Sequence, residues 1–89
     1  MEFEWFEGKR LRTLEDRGLD FRDARHLFDG RSLYSYPSPR GEEARFVSVG
    51  LLEQRLVAVV WMERPDTCRI ISMRRARQSE ERAYRALFG

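Results

Sequence analysis

A single cysteine, Cys68, excludes any internal disulfide from the 89-residue chain. It sits in an apolar stretch, where a buried, inert thiol is expected rather than a nucleophile. The one histidine, His26, and that distant cysteine supply no ligand spacing for a metal, and no cofactor motif is present. His26 lies off the apolar stripe of its segment and is expected at the surface. No apolar run is long enough to span a membrane. The opening Met1-Glu2-Phe3-Glu4-Trp5 lacks the basic start and apolar core of a secretory signal, so a cytoplasmic location is the expectation. Gly-rich phosphate loops, nucleophile–base motifs and internal repeats are also missing. Lysine is nearly absent: Lys9 stands alone among seventeen basic residues, and the other sixteen are arginine. Arginine presents a planar, always-charged fork suited to phosphates, carboxylates and bases.

What is present suffices for a modest core in one domain over 1–89. Hydrophobic residues make up 42% and aromatics 12%, too many for a disordered chain. The net charge of +2 conceals an asymmetry. Residues 1–66 carry eleven basic and thirteen acidic side chains, a net of −2, whereas residues 67–89 carry six arginines against Glu80 and Glu81, a net of +4. A basic end on a near-neutral body favours nucleic acid or an acidic protein as partner.

Phe3-Glu4-Trp5 reads as a short strand at or near a sheet edge, ended by Gly8. Lys9 to Arg17 reads as a helix with Leu11 and Leu14 inward, and Gly18 fits the positive-φ position just past its end. Asp20 fits the N-cap of a second helix, with Leu19 as staple and Phe21, Ala24, Leu27 and Phe28 as its apolar stripe; Gly30 closes it. Leu33 to Tyr36 is a candidate strand, and Pro37 to Gly41 is the clearest loop. Phe46–Leu52 and Leu56–Met62 form two strands joined by Glu53-Gln54-Arg55. The second is apolar on both faces and should be central. Ser79 is a candidate cap for a last helix ending near Phe88. Consecutive strands with helices gathered on one side imply an α+β domain: an antiparallel sheet of about four to five strands, two N-terminal helices and a C-terminal helix.

The stretch Arg64 to Arg77 is the most informative. A turn at Pro65-Asp66 leads into a strand from about Thr67 to Met73, which emerges into Arg74, Arg75 and Arg77. Strict alternation would place Cys68, Ile70 and Ser72 on one face and Arg69, Ile71 and Met73 on the other. A rigid apolar strand would thus deliver guanidinium groups to one place on the surface, where they could hold phosphate oxygens. The competing reading is a solvated strand end.

Several of these pieces, taken in order, resemble the BrnT family of bacterial toxins. They are Phe3-Glu4-Trp5 with Lys9, Gly18, Phe21, Ala24, Phe28-Asp29, Arg45-Phe46, Gly50, the Leu56–Val60 run and Glu63-Arg64. Above all they include Arg69-Ile70-Ile71-Ser72 with Arg74 and Ala76, and the tail of Glu80, Arg82 and Tyr84. Phe6, Thr13, Asp16-Arg17 and Glu81 depart from the family's usual acidic residue, asparagine, Lys-His pair and basic residue. The resemblance implies a RelE-like fold. It also implies a ribonuclease toxin of a type II toxin–antitoxin system, held in check by a BrnA-like antitoxin with a ribbon-helix-helix DNA-binding domain. It is compatible with a higher-order toxin–antitoxin assembly on operator DNA. The alternative is a catalytically weakened RNA-binding or antitoxin-binding module that keeps the fold.

Metal-free RNA cleavage needs the 2′-hydroxyl deprotonated, charge on the scissile phosphate stabilised, and the 5′-oxygen protonated. Arg74 and Arg75 are the first candidates for the phosphate. Arg69, Arg77, Arg82 and Arg64 are candidate RNA-binding residues. Lys9 and Glu7, which match or neighbour the family's acidic–lysine pair, are catalytic candidates, as is Tyr84 as proton donor or base-stacking ring. Each has a plainer structural alternative: an ion pair for Arg69, an exposed charged pair for Glu7 and Lys9, a core aromatic for Tyr84. Tyr34, Tyr36 and Trp61 could stack on bases or be covered by an antitoxin segment. If Arg74 reaches solvent, Arg74→Ala should change stability by no more than about 0.5 kcal/mol.

Overall fold

The computed structural model describes residues 2–38 and 44–89. Five strands, β1 (Glu2–Glu4), β2 (Tyr34–Ser38), β3 (Arg45–Leu52), β4 (Arg55–Glu63) and β5 (Thr67–Arg75), form one sheet in the order β1-β5-β4-β3-β2. α1 (Glu7–Arg17) follows β1, a 3-10 helix (Phe21–His26) follows α1, and α2 (Gln78–Phe88) follows β5. The sheet is mixed, not purely antiparallel, because β1 pairs with β5 in parallel.

β4 is central, as its two apolar faces require. Val57 and Val59 face one side with Cys68, Ile70 and Met73 of β5, and against them pack Leu19, Phe21, Ala24 and Leu27. Leu56 and Ala58 face the other side with Val47 and Val49, and Tyr84 of α2 closes over them. The helices are therefore not gathered on one side: the 3-10 helix covers one face and α2 the other. A two-faced central strand cannot be buried any other way. Removing a side chain such as Phe21, which is wholly buried, should cost about 3–5 kcal/mol.

Only one true α-helix precedes the sheet meander. Asp20 does act as a cap, accepting the Arg22 N–H at 2.9 Å, but the segment it caps is a six-residue 3-10 helix. Phe21 and Ala24 within it and Leu27 at its C-cap are fully buried and recur every third position, the period of a 3-10 rather than an α-helix. α1 begins at Glu7, so Gly8 lies within it instead of ending β1. It turns Arg10 and Thr13 inward and leaves Leu11 51% and Leu14 37% exposed. The polar stripe wins because α1 lies beside the edge of β5, beyond the end of β1. There the Met73 carbonyl accepts a hydrogen bond from Arg17 Nη1 at 2.8 Å, and an edge carbonyl needs such a donor. Arg10 meanwhile bridges Glu7 (2.7 Å) and Asp20 (3.2 Å), tying α1 to the 3-10 helix. Gly18 ends α1 at φ 69°, as its position predicts.

The strand edges also shift. β2 runs through Pro37 and Ser38, tolerable because it is an edge strand; the rest of the expected loop, 39–41, lies outside the described residues. Arg77, not Ser79, occupies the N-cap position of α2. The decisive change is in β5. Val60 pairs with Ser72 and Trp61 with Ile70, so Ile71 is an extra residue, a β-bulge. After it the alternation is offset by one. Met73 joins Cys68 and Ile70 on the helix-packed face, and Ser72 and Arg74 turn to the opposite one.

Candidate nucleic-acid interface

α2 covers only part of the second sheet face. The remainder is an open groove of about 450 Å3 with an apolar floor of Val47, Val60 and Ile71. β2 supplies Tyr36 and Ser38, β3 supplies Arg45, and β5 supplies Ser72 and Arg74. α1 contributes Lys9 and Arg17, and Arg77 stands at the start of α2. Five cations from four elements thus converge on one groove.

Only one of the five has its own counter-charge among the described residues. Glu80, 3% exposed, takes Arg74 in a bidentate clasp, Nη1 to Oε1 at 2.7 Å and Nη2 to Oε2 at 2.9 Å. The same carboxylate accepts the Arg77 backbone N–H at 2.8 Å and a hydrogen bond from the Tyr36 hydroxyl. Arginine has no acceptor to return, so this is half of a capping box. Burial works to raise the Glu80 pKa, but Arg74, the Arg77 N–H and Tyr36 outweigh it and hold the carboxyl at about 2. Burial, reinforced by the Glu80 charge, raises the pKa of the Tyr36 hydroxyl. Lys9, Arg17, Arg45 and Arg77 have no carboxylate partner among the described residues. Partial burial of the Lys9 ammonium, then the charges of Arg45 and Arg17, lowers its pKa.

Of the residues singled out from the sequence, the groove brings together Lys9, Tyr36, Arg74 and Arg77 and leaves the others elsewhere. Arg75 is exposed at the end of β5 and paired in register with Val57, on the opposite face from Arg74. Glu7 is fully occupied by Arg10 (2.7 and 2.9 Å) and by the Trp5 indole N–H (2.9 Å), which together hold its carboxyl at about 2. Tyr84 is 6% exposed in the core, and its ring meets that of Phe88 at a tilt of 60°. Arg69 pairs with Glu4 at 3.0 Å near the β1 edge. Arg64 lies beside Phe46 and Pro65 at the far end of the β4–β5 turn. Arg82 lines a larger hollow of about 710 Å3 along the outer side of α2. That hollow is built by one helix and mixes Glu81 with Arg82 and Arg85, so its charges do not converge.

Arg17, Arg45 and Glu80 were not among the site candidates that the sequence offered. Glu80 had one usable signal, an acid three residues past a cap position and six past Arg74. Arg17 had none, because its place in the groove depends on where α1 meets the β5 edge; Arg45 stood only in the family-like Arg45-Phe46 pair, and the pairing of β3 with β2 and β4 sets its face. Trp61, a candidate stacking residue, is turned to the other face, donating to Ser48 Oγ at 2.9 Å. Tyr34 packs with Tyr36 on the α2 side.

Among the described residues, no three His, Cys, Asp or Glu side chains cluster as metal ligands, and no helix is long and apolar enough to cross a membrane. Burial pushes the Cys68 thiol up to about 12, leaving it protonated and unreactive. A family model described as "Ribonuclease toxin, BrnT, of type II toxin-antitoxin system" matches residues 5–80, which span every residue of the groove. No curated protein matches the chain.

Proposed function

The chain belongs to the BrnT family of ribonuclease toxins of type II toxin–antitoxin systems, and from that premise we propose that it cleaves RNA in the groove beside α2, without a metal. The observation that supports this reading is the groove's charge: Lys9, Arg17, Arg45 and Arg77 line it with no carboxylate of their own among the described residues. Such a lining attracts a polyanion and repels a divalent cation. It also supplies the electrostatic stabilisation of a developing phosphorane that a metal would otherwise provide. Lys9, made less basic than an ordinary lysine by its surroundings, is the group in the groove best suited to exchange a proton with the 2′- or 5′-oxygen. Arg74 and Arg77 border the path of the backbone, and Tyr36 offers a ring on which a base can stack.

Cleavage of cellular RNA would inhibit growth, and a cognate BrnA-like antitoxin would neutralise it by covering the basic groove in the cytoplasm. Antitoxin-free protein incubated with a long single-stranded RNA in EDTA is expected to fragment it. RNA left intact at protein excess would defeat the enzyme reading and favour a binding module. Cleavage abolished by the chelator would defeat only the metal-free mechanism.

A further inference from the structure

Arg45 opens β3, opposite Ser38 on β2 and Met62 on β4. Its side chain shares a face with Val47 and Val60, the apolar floor of the groove. Its Nε–H is buried and has no hydrogen-bond partner among the described residues. A buried guanidinium N–H without an acceptor is a standing cost to the fold. The contrast with Arg74 is direct: on the same face, Arg74 has a dedicated carboxylate in Glu80. Lys9 and Arg17 of α1 face the same space, and among the described residues no carboxylate forms an ion pair with any of the three, although Asp16 lines the adjoining hollow beside Lys9 and Arg17. Tyr36, Arg74 and Arg77 are the other charged or titratable groups lining the groove, and Glu80 is already committed to Arg74.

We propose that Arg45 is the principal phosphate-binding residue of the groove, seating one phosphodiester of single-stranded RNA between itself, Lys9 and Arg17. The assignment rests on the reading of the groove as an RNA site. An N–H without an acceptor and three cations without an ion-pair partner among the described residues, set around an apolar floor, form a lining suited to an anion. A guanidinium fork would hold two oxygens of one phosphate, and Lys9 would approach it as a point charge. Arg74, neutralised by Glu80, holds the wall of the groove. The lowered pKa of Lys9 accords with this, because a seated phosphate would offset the repulsion from Arg45 and Arg17.

The test uses Arg45→Met, which removes the charge and keeps the stem, and Arg45→Lys, which keeps the charge and loses the fork. The probe is a fully 2′-O-methylated RNA oligonucleotide, which binds but cannot be cleaved, with anisotropy measured across a salt series and Arg85→Met on the outer side of α2 as control. Arg45→Met is expected to bind roughly ten- to a hundredfold more weakly, with the slope of log K on log salt reduced by about 0.7. Its melting temperature should hold or rise, because a buried N–H without an acceptor has gone; a structural arginine would show the reverse. Arg45→Lys should keep the wild-type slope and bind with intermediate affinity. Wild-type binding by both variants, beside normal wild-type protein, would overturn the assignment of Arg45 alone. A lowered melting temperature with affinity lost only in proportion to unfolded protein would make Arg45 structural and overturn it too. Wild-type protein that does not bind the oligonucleotide would overturn the RNA reading of the groove itself.

Discussion

Arg74 leaves β5 on the face that α2 covers, where Glu80 meets both of its terminal nitrogens. Its side chain is 19% exposed and that of Glu80 only 4%, so this is an interior pair and not the solvent-reaching arginine that the end of an apolar strand suggests. Removing one partner of such a pair strands the other charge in the interior, at a cost of about 3–5 kcal/mol. Arg74→Ala is therefore expected to lower the melting temperature by more than about 10 °C, well beyond the effect expected of a surface position. Thermal unfolding of Arg74→Ala beside Lys9→Met makes the comparison: Lys9→Met should lose RNA cleavage and keep its melting temperature. Equal melting temperatures for wild type and Arg74→Ala would show that the clasp contributes nothing.

At the scale of elements, two devices carry testable energetics. The first is the docking of α2. Its N-terminus is held to the sheet by the Glu80 carboxylate, which also receives Arg74 of β5 and Tyr36 of β2. A carboxyl held at about 2 in the folded protein, against an ordinary 4.5, stabilises the fold fully above the ordinary value. That contribution is lost as pH falls from there towards 2. Asp20, held at about 2 by Arg22 and Arg10 against burial, adds a second acid-sensitive tie between α1 and the 3-10 helix. Glu80→Gln should be less stable than wild type at neutral pH and lose less on acidification. Denaturant midpoints across the acid range would show the two curves converging; parallel curves would remove Glu80 from the account. The second device is the β3–β4 hairpin. Leu52 pairs with Arg55, leaving Glu53 and Gln54 as a two-residue turn with φ of 50° and 71°. Both central residues sit in the left-handed region that such a turn demands, without the Asn-Gly pair that enters it easily. Gln54→Gly is expected to stabilise the protein by roughly 0.5–1 kcal/mol, and a destabilised variant would show that Gln54 makes a compensating contact.

At the scale of the whole molecule, charge is sorted by the fold. Three of the five groove cations, Lys9, Arg17 and Arg45, come from the part of the chain that carries net negative charge. Among the described residues they have no ion-pair partner, and three acids of the same part of the chain are spent elsewhere: Glu7 on Arg10, Asp20 on Arg10 and Arg22, Glu4 on Arg69. A concave basic face of this kind on a small toxin calls for a partner that covers it. Coexpression with the small reading frame next to the gene is expected to restore growth and to yield a copurifying complex that weakens as salt rises. Two proteins that elute separately at micromolar concentration would refute the antitoxin assignment.

The sequence by itself determined what depends on local pattern and on joint motif order. The two-faced apolar run at Leu56–Val60 fixed β4 as the centre, Gly18 fixed the end of α1, and the ordered matches from Phe3 to Tyr84 pointed to the family that the 5–80 match then showed. Those signals survive because they are carried by residues close together in the chain or by identity alone. Tertiary structure decided the rest. The face of α1 was chosen by an edge carbonyl of β5, 56 residues from the arginine that satisfies it. The direction of Arg74 was chosen by a bulge at Ile71, a feature of pairing between two strands and invisible to the period of either one. The groove itself arises from which cations find a carboxylate and which do not, and that matching is made between elements, after the chain has folded.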